Sequence, residues 1–200
     1  MSSSDAGKFV EFVDASPSPF HAVATAVSKL EAAGFSRLTE KEPWALEAGG
    51  KYYFTRNEST VFGFALGGKW VPGGGFSIVA AHTDSPCLKI KPRSARSKLG
   101  YLSVGVECYG GGLWHTWFDR DLSIAGRVIV RDGDAFQTKL VKVDRPIMRV
   151  PTLAIHLNRS VNDKGFLFNK ETHLAPILAT EVKAQLGVPA GAGGAGGAGG

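Results

Sequence analysis

Cysteine is scarce in this chain of 200 residues, with Cys87 and Cys108 its only two. They form neither a disulfide framework nor a paired zinc-knuckle spacing, so the fold must rest on an apolar core, in keeping with a reducing compartment. No apolar run approaches the ~20 residues of a membrane-spanning helix. The opening Met1-Ser-Ser-Ser-Asp-Ala-Gly-Lys8 has neither the apolar core of a secretory signal nor the arginine-rich amphipathic pattern of a transit peptide. The chain therefore reads as cytoplasmic, with no membrane association. A strong charge of either sign is also missing, since 23 basic residues stand against 18 acidic ones for a net +5. The densest basic run, Lys89, Lys91, Arg93, Arg96 and Lys98, has no interleaved aromatics to stack bases, so it reads as a solvated edge and no nucleic-acid partner is expected. After His173 there is no further His, Asp or Cys, and Glu181 is the last acid.

What is present describes a globular chain. Hydrophobic residues make up 44% and charged ones 20%, enough apolar material for a sizeable core in one or two domains. Phe9, Val10, Phe12 and Val13 predict a helix over 5–15 with Asp5 as its N-cap. A second helix is predicted from Pro19 or Phe20 to Ala33, with proline in its first turn and Gly34 just past its end. Residues 51–56 and 60–66 read as a hairpin around Asn57-Glu58-Ser59. From about residue 95 to 157 the pattern is strand after strand, broken by turns at 110–112, 132–134 and 145–146. Leu174, Ile177, Leu178 and Val182 recur at helical steps and predict a helix within 170–186, starting near Pro176. The Gly/Ala repeat of 191–200 offers too little apolar surface to offset its ordering entropy and reads as a disordered tail.

The densest chemical signal is Phe76-Ser-Ile-Val-Ala-Ala-His82-Thr-Asp84. Phe76–Ala81 reads as a buried β-strand between a triple-glycine turn and Pro86, which puts His82 at the strand's carboxyl end, where open α/β sheets place their ligand sites. Neutral imidazole is a good zinc ligand, and a nearby aspartate can accept the other ring N–H and fix the tautomer. The spacing alone is a weak signal, because a hydrogen-bonded structural histidine at a strand end is commoner than a ligand. His21 reads as a packing or capping residue, and His173 has no evident partner. His115, Asp119, Arg120 and Asp121 are dense in charge and read as structural.

Four stretches carry a more specific signal: Phe12-Val-Asp-Ala-Ser-Pro-Ser-Pro-Phe-His-Ala-Val23, Ala80-Ala-His-Thr-Asp-Ser-Pro-Cys-Leu-Lys-Ile-Lys91, Tyr109-Gly-Gly-Gly-Leu-Trp-His-Thr-Trp-Phe-Asp-Arg-Asp-Leu122 and Leu153-Ala-Ile-His-Leu-Asn-Arg159. In this order the chain resembles the amino-terminal portion of the aspartyl aminopeptidases, cytosolic zinc metallopeptidases of the M18 type. The resemblance implies an α/β fold: the amino-terminal part of a catalytic domain over 1–95, a β-rich inserted dimerisation domain over 96–187, both incomplete, and the tail over 188–200. It implies release of amino-terminal Asp or Glu from peptides by two-metal-assisted hydrolysis, and a homo-oligomer assembled through the β-rich domain. By position His82 would bind one zinc, Asp84 would be its partner, and His156 would reach a neighbouring subunit's active site. A carboxylate bridging the metals, paired glutamates and a late histidine ligand belong to the same pattern and have no counterpart here. Glu11 and Glu40 have nothing tying them to the site. The expectation is thus an enzyme by family whose 200 residues are inactive alone. The alternative is a catalytically dead fragment that acts as an assembly partner of full-length subunits.

Overall fold

The computed structural model describes residues 4–181. Helix α1 spans Asp5–Asp14 and α2 spans Pro19–Ala32. Ser4, not Asp5, caps α1 by accepting the Gly7 N–H at 3.2 Å, and Asp5 instead takes the first helical position and pairs with Lys8 at 3.0 Å. This suits an anion at the positive end of a helix. Helix α2 begins as its sequence dictates: Ser18 accepts the His21 N–H, Pro19 follows, and Gly34 leaves the helix with a positive φ of 83°. Ala22 and Val23 are its buried residues.

Strand β1 (Ser36–Arg37) runs parallel to β2 (Lys51–Arg56), which pairs antiparallel with β3 (Thr60–Ala65). The expected hairpin turn is present, with Asn57 and Glu58 both at positive φ. Tyr53, fully buried on one face of this sheet, donates its hydroxyl to Glu31 Oε1 at 2.5 Å. On the other face Tyr52, Phe54, Phe62 and Phe64 form cross-strand pairs with Trp44 packed against them.

Two sequence expectations fail. Phe76–Ala81 is not a buried strand: it has no regular structure, and Phe76, Ile78 and Val79 are 72%, 83% and 99% exposed. The physical reason is that a strand exists only through ladder partners, and among the described residues none pairs with it. The helix expected within 170–186 is not found over Ile177–Thr180, which forms a strand; Glu181 is helical, and residues 182–186, and the tail expected over 188–200, lie outside the described residues.

The remaining strands are β4 (Cys87–Lys98), β5 (Tyr101–Tyr109), β6 (Asp121–Leu122), β7 (Ala125–Asp132), β8 (Ala135–Lys142), β9 (Met148–Arg149) and β10 (Ile177–Thr180). A 3-10 turn at Trp114–Trp117 and a short α3 at Val161–Lys164 complete the elements. Five strands form an antiparallel sheet in the order β4-β5-β10-β9-β6, and β7 and β8 form a separate hairpin. Strand β10 thus fills the slot between β5 and β9. Pro176, which has no N–H to donate, precedes it and accepts the Val104 N–H at 2.9 Å.

Two compact units result. The first comprises the chain up to Ser85 together with Ile124–Lys142, and the second comprises Pro86–Ser123 together with Val143 onward. The compositional boundary at 95 lies within β4, ten residues beyond the first division between the units. In the first unit the β7–β8 hairpin is fastened by Arg127, which donates to the Asn57 carbonyl at 2.9 Å and lies over the Phe20 ring at 4.3 Å, while Thr138 donates to Glu58 at 2.9 Å. The second unit is built on buried Trp114, Val150 and Leu174, with Leu88, Cys108, Trp117, Phe118, Leu122 and Phe168 packed around them.

Candidate metal half-site

His82 and Asp84 meet as the spacing predicts, but through a different atom. His82 Nδ1 lies 2.8 Å from the backbone carbonyl oxygen of Asp84 and 3.5 Å from its carboxylate Oδ1. A carbonyl oxygen only accepts, so Nδ1 carries the proton and donates it, with the carboxylate close enough to reinforce the field. In the neutral ring the lone pair then sits on Nε2, the state in which imidazole binds a metal. The His82 side chain is 84% exposed, so Nε2 is open to solvent. This ring fits one zinc ligand. The rest of the centre is not there: among the described residues no three His, Cys, Asp or Glu side chains gather where a metal ion could be held. A catalytic zinc takes three protein ligands and a water, so the residues present do not fit a complete site.

His156 lies in the second unit, exposed, on a turn closed by the Leu157 N–H donating to the Ala154 carbonyl at 2.9 Å. It is a turn residue and not part of a strand ladder. The charged cluster after the 3-10 turn resolves into cross-chain clamps. Asp119, at a positive φ of 54°, accepts the Thr152 N–H at 3.0 Å and the Thr152 hydroxyl at 2.5 Å. Those two bonds, the hydroxyl's foremost, hold its carboxyl below the ordinary aspartate value. Asp121 takes Arg149 at 2.7 Å. These contacts bind the 119–122 segment to 149–152 and leave the reading of this cluster as structural. His21 Nδ1 lies 2.7 Å from the hydroxyl oxygen of Ser18, the residue that caps α2.

The basic run on β4 is largely compensated. Glu171 pairs with Lys91 at 2.8 Å and Arg96 at 3.1 Å, and Lys89 lies 3.7 Å from the centre of the Tyr109 ring. Hydrogen bonds from Lys91 first and Arg96 second push the Glu171 carboxyl down, and the Lys91 ammonium rises chiefly through the same bond. Sequence reasoning missed Glu171, and no local signal points to it, because its partners lie 75 and 80 residues away.

Comparison with known proteins extends this picture. Residues 12–191 match the family model described as aminopeptidase I zinc metalloprotease (M18), and the chain belongs to that family. It is 58% identical over 172 residues to the aspartyl aminopeptidase of Aspergillus oryzae and 55% identical over 181 residues to a probable aspartyl aminopeptidase of Ricinus communis. Those alignments take in 84% and 88% of this chain but only 34% and 37% of the relatives, so the chain spans little more than a third of their length. Among solved structures it superposes on a chain of the Ape4 and Nbr1 complex with a TM-score of 0.84 at 51% identity, covering 87% of this chain and 34% of that one. It also superposes on Chaetomium thermophilum mApe1 with a TM-score of 0.79 at 38% identity, covering 91% and 41%. A yeast mApe1 structure, 27% identical with a TM-score of 0.68 and coverage of 88% and 48%, is described as a dodecamer. The mixed α/β fold and the zinc-hydrolase family membership expected from the sequence both stand. No helix of the described residues is long and apolar enough to cross a membrane.

Proposed function

We propose that this chain carries the first metal ligand and the oligomerisation unit of an aspartyl aminopeptidase, a cytoplasmic hydrolase that removes amino-terminal Asp or Glu from peptides. The observation that carries the reading is the His82 ring, whose Nδ1 is engaged by the Asp84 carbonyl while Nε2 remains available to an ion. His82 is the zinc ligand and Asp84 its orienting partner. Zinc, two ions in the complete centre, supplies Lewis-acid activation of the scissile carbonyl and of water when bound. The chain's own residues here do one thing: they hold a proton on Nδ1 and present a lone pair in a fixed direction.

Residues 1–95 belong to the catalytic domain and 96–187 to the inserted dimerisation domain, through which copies associate. The dodecamer described for a relative supports that association. His156, exposed on its turn, would reach a neighbouring subunit's active site. Since no second and third ligand gather among the described residues, the 200 residues alone neither retain zinc tightly nor hydrolyse peptides. The buried Trp114, Val150 and Leu174 cluster of the second unit also supports a second reading, in which the chain serves as an assembly partner of full-length subunits.

The test pairs two measurements on the purified chain: zinc retention by equilibrium dialysis, and release of 4-nitroaniline from aspartyl 4-nitroanilide with zinc added. The expected result is weak zinc retention lost in His82→Ala, with no turnover. Turnover that depends on His82 would overturn the claim of inactivity, and zinc retention indifferent to His82→Ala would overturn the ligand assignment.

A further inference from the structure

The first unit holds a cleft of about 230 Å³ between α2 and the β7–β8 hairpin. Its walls are largely apolar, with Phe20, Val23 and Val27 coming from α2 and Leu140 from β8. The α2 residues fall three and four apart, so they lie along one helix face. Two cations also line the cleft, Arg37 on β1 and Lys139 on β8, together with one acid, Glu58 of the β2–β3 turn. The acid is already engaged: Oε1 accepts the Thr138 hydroxyl at 2.9 Å, and Oε2 lies 3.7 Å from the Arg127 guanidinium. Arg37 and Lys139 have no such partners, since among the described residues neither side chain makes a hydrogen bond or an ion pair. We infer that this cleft binds a small carboxylic acid with an apolar, ring-sized body. The body packs against the α2 face and Leu140, and the carboxylate is held by Arg37 and Lys139.

Charge and size select this occupant. With Glu58 satisfied by Thr138 and Arg127, the cleft is left with two uncompensated positive charges beside apolar walls. A neutral apolar ligand would leave both unpaired, and a cation would be repelled. A carboxylate meets them with charge-assisted hydrogen bonds, and its planar oxygens match the guanidinium fork. A phosphate without an apolar body would leave the walls wet. The volume falls below the ~300–1,000 Å³ of sites for drug-sized ligands, which favours a single ring over a nucleotide or an extended peptide. Aspartate, the proposed product of the reaction, has no apolar body, and a second carboxylate would have to be desolvated against Val23 and Val27. The bound acid would bridge α2 and β8, adding to the contacts of Arg127 and Thr138 that fasten the hairpin. The inference stands apart from the metal reading, because binding is read without zinc or a peptide substrate.

The experiment titrates the whole nitrogen-15-labelled chain with 3-phenylpropionate and follows backbone amide shifts. The expected result is saturable shifts at Val27, Thr138 and Leu140, with a dissociation constant on the order of 1 mM, as suits a ligand of this size. The isosteric 3-phenylpropanamide should bind about tenfold more weakly, because it cannot form the charge-assisted bonds. Acetate, aspartate and 3-phenylpropylamine should not displace the probe. Arg37 and Lys139 are exposed, so Arg37→Gln and Lys139→Gln should keep the circular dichroism and melting temperature of the parent. Each should weaken binding several-fold, and the double variant at least about tenfold. No saturable shift by about 20 mM probe would overturn the inference, as would a double variant that binds like the parent. Equal binding of the acid and its amide would overturn the role of the two cations. Acetate binding as tightly as the probe would overturn that of the apolar walls. A peptide ending in phenylalanine that binds more tightly than the probe would overturn the assignment to a free acid.

Discussion

Leu174 and Leu178 separate the observed second unit from the helix that their spacing predicts. On a helix these residues, four apart, would share one buried face and contribute alike. In the structure Leu174 is 0% exposed against Trp114 and Val150, whereas Leu178 lies on β10 and is 46% exposed. Truncating Leu174 removes three fully buried carbons and leaves a cavity beside Trp114 and Val150. Leu174→Ala should therefore cost ~3–4 kcal/mol, within the range for leucines in rigid cores. Leu178→Ala loses about half of the transfer contribution and leaves no closed cavity, so it should cost below ~1.5 kcal/mol. Against a total stability on the order of 5–15 kcal/mol, the first change is large. Urea unfolding followed by tryptophan fluorescence reads it directly, because Trp114 and Trp117 lie in or against the affected cluster. Equal costs for the two variants would refute the strand assignment, and a cost below ~1 kcal/mol for Leu174→Ala would refute its place in the core.

Other outcomes follow from the same contacts. Glu171 has its carboxyl lowered and Lys91 its ammonium raised by their mutual bond. Their contribution is therefore complete between the two titrations and is lost as pH falls through the folded value of Glu171 or rises through that of Lys91; Glu171→Gln should flatten both limbs of the melting temperature against pH. Burial first, and Lys142 second, lower the His21 pKa from its ordinary 6.5, so the folded state favours the neutral ring. That contribution is full above 6.5 and is lost as pH falls through the folded value, so melting should show an acid step that His21→Gln removes. Tyr53→Phe should cost ~1 kcal/mol, because exposed Glu31 regains water when the hydroxyl is lost, whereas Tyr53→Ala should cost ~3 kcal/mol or more in chemical unfolding. In nitrogen-detected NMR His82 should show the Nδ1–H tautomer, and added zinc should move its Nε2 resonance while leaving His21 in place; an Nε2–H tautomer at His82 would contradict the carbonyl bond.

The elements legible in the sequence are those whose determinants are local. Ser18, Pro19 and Gly34 define α2 by capping and by backbone conformation, and Asn57 with its neighbours closes β2–β3 within a few residues. The same holds for the His82–Asp84 contact, because the two residues are two apart in the chain. What sequence reasoning could not reach depends on distant partners. Leucines at helical steps are also compatible with a short strand plus a core residue, and the open position between β5 and β9 decides between them. Glu171 is an ordinary acid until the fold sets it beside Lys91 and Arg96. The hydrogen bond to the Asp84 carbonyl rather than chiefly to its carboxylate is a matter of backbone course, which residue identities do not encode. Phe76–Ala81 is a different kind of case. Its strand pattern is plain in the sequence, and among the described residues no strand pairs with it. Hydrophobic alternation records the environment in which a segment is used, whereas the ladder records only the chain that is present.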